Sequence, residues 1–329
     1  MKYYWSTLIW LSGWCAPLFA TEVVWPTSMN RQTIHSFEDF IQPTVSGKIS
    51  SGTFGMVRED GKRFHEGIDI RPSRVLANGE AADRIFSAIA GKVAYLNHGT
   101  NGPYGKYIIL VHSEAEIEVY TLYAHLATID KNLRVGDPLP RGKAIALMGR
   151  SSTPDNPMPL ERSHLHFEVG LRLSDSFSRW YNKKNDPLKN PNLHGIWNGQ
   201  NLVGFDPSYI LKSTRVNLLE VVHNLPTALA VVIRTRTAPD FVYRYPGLTN
   251  GEASTAAGWY IEFTWHGLPK HWTALPADSK QLPSNGFKIV KINPQMRDLM
   301  IQRQMLASDG KKPGEILIQN LEILLSNSR

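Results

Sequence analysis

The chain is nearly without cysteine. Its 329 residues hold a single one, Cys15, so no disulfide can close within one chain. Sites built on several thiolates, whether zinc or iron–sulfur, are excluded with it. Long apolar runs are scarce as well: past the N-terminal stretch, no segment reaches the roughly 18 uninterrupted apolar residues of a membrane-spanning helix. Charge of one sign is not dominant either. Lys and Arg number 36 against 29 Asp and Glu, a formal +7, which is less than a dedicated nucleic-acid binder shows but favours a polyanionic surface. Gly (25) and Pro (21) are in ordinary supply, so a collagenous or wholly disordered chain is excluded. The length suits one large domain or two modest ones.

What is present begins with MKYYWSTLIWLSGWCAPLFA. Lys2 supplies a positive start, Tyr3 to Trp14 an apolar run too short to span a bilayer, and Ala20 a small residue at a cleavage point. Residues 1–20 are therefore expected to be a secretory signal, and the protein to be exported to a periplasm or extracellular envelope. Trp14 stands where a lipoprotein signal carries Gly or Ala, which argues against lipidation of Cys15. Cleavage would leave a chain with no cysteine and no integral membrane segment.

Residues 21–44 read as a polar-aromatic lead-in with a short helix near Ser36 to Ile41. From Val45 short β runs are broken by Gly and Pro: Arg84–Ala90, Gly91–Leu96, Tyr107–His112, Ile117–Leu122, Ala144–Met148 and His164–Val169. Their spacing, with turns such as Asn101-Gly102-Pro103 and Gly136-Asp137-Pro138, predicts an antiparallel all-β unit. The Asn-, Lys- and Trp-rich stretch from Arg172 to Phe205 reads as an inserted surface loop. Tyr209–Leu211 closes the first unit at about residue 212. A second unit follows over 213–329, with strands expected at Leu218–His223, Ala228–Arg234, Trp259–Trp265, Phe287–Ile292 and Glu315–Leu325. A helix is expected over Pro294–Leu306, with Pro in its first turn.

Three histidine motifs lie in the first unit. In His65-Glu66-Gly67-Ile68-Asp69, a His and an Asp four apart can ligate one metal, with Gly67 easing the turn between them, or can be solvated loop residues. In His164-Leu165-His166-Phe167-Glu168-Val169, strict alternation sends Leu165, Phe167 and Val169 to the core. His164, His166 and Glu168 then share the opposite face, about 6.5–7 Å apart, a spacing that suits one imidazole on a metal and its neighbour on a substrate. Tyr123-Ala124-His125-Leu126 ends an apolar run, and His125 alone reads as a structural strand-end residue.

Taken together, in this order, the motifs resemble the LytM/lysostaphin-type zinc metallopeptidases, the peptidoglycan endopeptidases. The resemblance runs over residues 45–212, through Ser51-Gly52-Thr53-Phe54-Gly55, HEGID, Ala88–Val93, Tyr104-Gly105, YAHL, Val135-Gly136-Asp137, Met148-Gly149-Arg150 and HLHFEV. It implies an antiparallel β-sheet peptidase domain there, and with the runs read over 213–329 as a β-rich (α+β) accessory domain the whole is expected to be mainly β. It also implies one Zn2+ per chain on His65, Asp69 and His166, catalytic roles for His125 and His164, and peptidoglycan as substrate. Two imidazoles and a carboxylate leave the fourth tetrahedral position open, as catalytic zinc requires. Glu66 or Glu168 is placed to orient a ligand or to sit in solvent. The chain departs from the family pattern at Ser151–Arg162 and at the insertion after the HLH strand, both near the expected groove. A silent relative that binds wall or activates an amidase, and a metal carrier, are the rival readings. The accessory domain is open to wall targeting, groove occlusion relieved by a regulatory protein partner, or oligomerisation. His112 is expected to be structural, His266 and His271 a packed or solvated loop, and the aromatics Trp259 and Tyr260 core.

Overall fold

The computed structural model describes residues 20–58, 63–114 and 116–327. The expected signal sequence, Ala20 apart, lies outside them. Most of the regular structure is antiparallel β-sheet, as the turn spacing predicts.

The β-branched and aromatic runs Tyr107–Ser113 and Glu118–Ala124 pair antiparallel, Ile108 opposite Tyr123 and His112 opposite Val119. They sit inside a seven-stranded sheet. Gly91–Asn97 and Pro138–Leu139 extend it on one side, and Leu165–Arg172 on the other. Leu165–Arg172 is the strand that carries the histidine pair. Its first half pairs with Ile68–Ile70, which sets His166 opposite Asp69, and its second half pairs with Leu202–Phe205. The two motifs are thus brought together by backbone register. Arg84–Phe86, Ala144–Met148 and Leu126–Ile129 form a smaller three-stranded sheet.

The alternation in Leu165–Arg172 is as expected on the apolar side: Leu165, Phe167, Val169 and Leu171 are fully buried. Each large apolar side chain so buried stabilises the fold by about 1.5–3 kcal/mol. The polar side differs from a half-open strand, because His164, His166 and Glu168 are buried too. Tyr104 and Tyr120 pack against them, and part of the stretch after Arg172 covers the same side. That stretch was expected as a surface loop, but Phe177–Lys184 is an α-helix with Phe177 and Tyr181 buried, and Leu202–Phe205 is a sheet strand. Trp197 from this stretch packs with Tyr104, Tyr107, Tyr120 and Leu202 on the polar side of the sheet, and the Arg172 guanidinium lies 5.0 Å from its ring centre.

The lead-in is bound into the core rather than trailing from it. Thr21–Glu22 pairs with Arg215–Val216, Trp25 meets Phe40 edge-on at 5.1 Å, and Gln42 N–H donates to the Asp69 carbonyl. The short helical turn there spans Phe37–Asp39.

The later part of the chain builds a five-stranded sheet in the order Thr249–Asn250, Pro269–Leu275, Gly258–Phe263, Leu229–Arg234 and Phe287–Ile292. Two expected strands are helices instead, Leu218–Asn224 and Glu315–Leu324. The helix expected after Pro294 is shorter, a 3-10 turn at Pro294–Met296 leading into Arg297–Gln302. Trp259, expected in the core, is fully buried, and so is Trp272.

One apolar cluster runs from Val23 through the first sheet to Leu325. Polar contacts close the same joint. The Tyr245 hydroxyl accepts from Arg172 N–H at 3.0 Å and donates to its carbonyl at 3.2 Å, while Ser174 Oγ–H donates to Asp240 at 3.0 Å.

Candidate metal centre

Register supplies the first contact and loop carbonyls supply the rest. Asp69, 5% exposed, stands between His65 and His166: its Oδ1 is 3.0 Å from His65 Nε2 and 3.0 Å from His166 Nδ1. The ligand atoms of these three residues lie within 4.8 Å of one another, the one such His, Cys, Asp or Glu group among the described residues. His164 Nε2 approaches the same carboxylate oxygen at 3.3 Å. His125 stands next to His164, ring centres 4.8 Å apart. All five residues singled out in the sequence are therefore neighbours.

Every one of the four rings is pinned from behind. His65 Nδ1–H donates to the Thr53 carbonyl at 2.7 Å, His125 Nδ1–H to the Ser151 carbonyl at 2.8 Å, and His164 Nδ1–H to the Arg162 carbonyl at 2.6 Å. A carbonyl can only accept, so these ring nitrogens carry the proton. His166 Nε2–H donates to Glu168 Oε1 at 3.0 Å, and the Tyr120 hydroxyl donates to Glu168 Oε2 at 2.9 Å. Glu168 is fully buried, so of its two expected places it takes the orienting one.

This pinning decides what the centre can hold. In their neutral forms His65, His164 and His166 turn lone pairs toward the Asp69 oxygen, an arrangement of acceptors around an acceptor. It is stable only with a cation among them, either extra protons or a metal ion. Two imidazoles and a carboxylate, each oriented by a further hydrogen bond, are a donor set that fits a zinc ion.

The electrostatics agree. Burial alone would raise the Asp69 carboxyl, but His164 and His65 beside it and the hydrogen bonds from His164 and His166 hold it well below the usual range. Burial alone would lower His166, but its bonds to Asp69 and Glu168 push it up to about 10. His125 is held well below the ordinary imidazole value, first by burial and then by the charges of His164 and His166. Its backbone is also unusual: φ is 61°, in the left-handed region, where a non-glycine residue costs energy and often marks a working position.

Around the five, the structure places groups to which the sequence assigns no role. The Tyr104 ring lies 5.6 Å from that of His166, and its hydroxyl faces Glu168. The carbonyls of Thr53, Ser151 and Arg162 carry no side-chain signal. The other histidines stand elsewhere. His112 is buried between the Ala90 carbonyl and the Thr121 hydroxyl, and His266 is buried in a corner between strands.

A largely buried His65–Asp69–His166 cluster with two further histidines beside it fits a site of the metallopeptidase kind. Residues 63–177, about a third of the chain, match the model of Peptidase family M23, the family the motifs resemble. Among solved structures, the catalytic domain of lysostaphin from Staphylococcus simulans aligns with 55% of this chain and 100% of its own, at 17% identity and a TM-score of 0.32. A zinc-containing peptidase from Vibrio cholerae aligns with 40% of this chain and 34% of its own, at 24% identity and a TM-score of 0.28. Csd3 from Helicobacter pylori aligns with 51% of this chain and 33% of its own, at 20% identity and a TM-score of 0.30. The chain thus spans about a third of the length of these last two. No curated protein matches it. No helix among the described residues is long and apolar enough to cross a membrane.

Proposed function

We propose that this chain is an exported zinc-dependent endopeptidase that hydrolyses peptide bonds in the stems or cross-links of bacterial peptidoglycan. In this reading residues 1–20 are a removed signal, 45–212 the peptidase domain and 213–329 an accessory domain, and the protein works in the periplasm or the outer envelope. His65, Asp69 and His166 hold one Zn2+, and His125 and His164 act on the substrate. The observation that carries the reading is the convergence of three lone-pair-bearing imidazoles on the Asp69 oxygen, with His125 beside them.

Bound zinc would supply a Lewis acid for the scissile carbonyl and a water of lowered pKa. The chain's own groups do the rest. His125 is neutral at ordinary pH because burial and its imidazole neighbours disfavour its charged form. With Nδ1–H committed to the Ser151 carbonyl, its Nε2 is free to take a proton from the attacking water and return it to the leaving amine. His164 is fixed by Arg162 and adjoins both His125 and Asp69; once charged, it can stabilise the oxyanion. Glu168 and Thr53 keep His166 and His65 in their ligating tautomers. The polymer's carboxylates suit the mildly basic chain.

The test is digestion of purified peptidoglycan by the zinc-loaded protein, with product masses and new amine termini read by mass spectrometry. Metal-dependent release of muropeptides is expected, and the product masses name the bond. A folded, zinc-bound protein that releases nothing from several wall types would favour a wall-binding or amidase-activating role.

A further inference from the structure

The part of the chain after residue 213 packs on the segment that ends in His65. Residues 53–58 and 63–65 form an arm that ends in His65, in which Gly55 N–H donates to the His65 carbonyl, His65 N–H to the Met56 carbonyl, and Val57 pairs with Phe64. The same arm supplies the Thr53 carbonyl that orients the His65 ring. Two phenylalanines flank it, Phe54 and Phe64, in edge-on contact at 5.4 Å.

Against these rings lies the corner between the strands Gly258–Phe263 and Pro269–Leu275. His266 meets Phe54 edge-on at 5.0 Å and stacks over Phe64 at 6.2 Å, and Trp265 meets Phe64 at 5.7 Å. Trp265 also lies so near Gly55 that a Cβ there would come within 3.1 Å of its ring, so the arm's backbone rests directly on the indole. Arg303 adds a cation 4.4 Å from the Phe64 ring centre.

The corner itself is held firmly. Gly267, at φ +103°, makes the turn, and Asn320 of the last helix donates to its carbonyl at 3.1 Å. Thr264 N–H donates to the Leu268 carbonyl, and Leu268 N–H to Thr264 Oγ1. Gln304, next to Arg303, is itself left-handed at φ 58°, just past the end of the helix Arg297–Gln302. A firmly held support therefore meets a short arm whose strand pairing, among the described residues, is a two-stranded ribbon, and such a ribbon is marginal alone.

We propose that the Trp265–His266 corner is a positioning element of the metal centre: it braces the arm at Phe54, Gly55 and Phe64 so that His65 Nε2 stays in ligating position. The inference rests on the proposed metal site and gives the later part of the chain a role in it, that of a brace behind one ligand.

The experiment uses the full chain. The zinc dissociation constant is measured by competition with a chromogenic chelator for the native protein, Trp265→Ala, Trp265→Phe and Tyr245→Phe, each with a metal-free thermal melt. Tyr245 sits at the other joint, against Arg172, and serves as the control for general loosening. Trp265→Ala is expected to weaken zinc on the order of 10-fold or more, as loss of a ligand's support does. Trp265→Phe should restore most of the loss. Tyr245→Phe should lower the melting midpoint and leave zinc affinity within about twofold, since its bonds do not reach the ligands. Should Trp265→Ala not fold, Trp265→Leu replaces it with the same expectation. Native affinity in a folded Trp265→Ala or Trp265→Leu protein, or equal weakening by Tyr245→Phe, would overturn the proposal. A native protein that binds no zinc would overturn the metal-site reading itself and the brace with it.

Discussion

Glu168 shows what a single residue does here. A carboxylate with no exposed surface is costly unless it is bonded, and this one accepts from His166 Nε2–H and the Tyr120 hydroxyl. Its bond fixes which nitrogen of His166 faces Asp69, and in the proposed metal site its charge would make His166 a better ligand. Glu168→Gln keeps the shape and loses the charge. Zinc affinity, measured by calorimetric titration, should fall on the order of 10-fold, and an unchanged affinity would reduce Glu168 to a packing residue. At this scale the sequence was informative where side chains do the chemistry. The alternation in HLHFEV placed His166 and Glu168 on one face, and the order of the motifs picked out His65, Asp69 and His125. The supports of His65, His125 and His164 are main-chain carbonyls, which every residue has, so nothing in the sequence marks Thr53, Ser151 or Arg162 for the task.

Elements were legible where hydrophobic period and length agreed. Tyr107–Ser113 and Glu118–Ala124 have the residues and the length of strands and formed them. Leu218–Asn224 did not follow its β-branched pair, Val221-Val222, because a short apolar run is ambiguous and its capping decides. Asn217 accepts from Glu220 N–H at 3.0 Å, the mark of a helix start. In Glu315–Leu324 the buried Leu317, Asn320, Leu321 and Leu324 repeat at helical spacing, a signal hidden by the dense run of apolar residues. Asn217→Ala should cost about 1 kcal/mol in urea unfolding, with Asn217→Ser close to native. No loss in the alanine variant would mean that tertiary packing alone holds this helix.

Over the whole molecule, the insertion and the lead-in were the hardest to foresee, because their polar composition conceals a few buried anchors: Phe177, Tyr181, Trp25 and Phe40. The folded molecule also keeps neutral two histidines outside the five of the centre. Burial pushes His112 down to about 4 and His266 down to about 3. An unfolded histidine titrates near 6.5, so below that pH the unfolded chain takes up protons that these folded rings refuse. Their contribution is therefore whole above pH ~6.5 and is lost as pH falls toward 4 and then 3, at up to about 1.4 kcal/mol per pH unit per histidine. Thermal melts from pH 7 to 4 should show the midpoint falling. His112→Asn should start lower at pH 7 and decline less steeply, and a slope equal to native would contradict this account of acid sensitivity.

The central claim is a division of labour among five residues: three hold a metal and two act beside it. Metal content and peptidoglycan turnover, measured on the same preparations of native protein, His166→Ala and His125→Ala, separate these roles. The account predicts one zinc per native chain with turnover, loss of both in His166→Ala, and a full zinc complement with turnover lost in His125→Ala. A His166→Ala protein that keeps its zinc tightly, or a His125→Ala protein that cleaves as well as native, would contradict it.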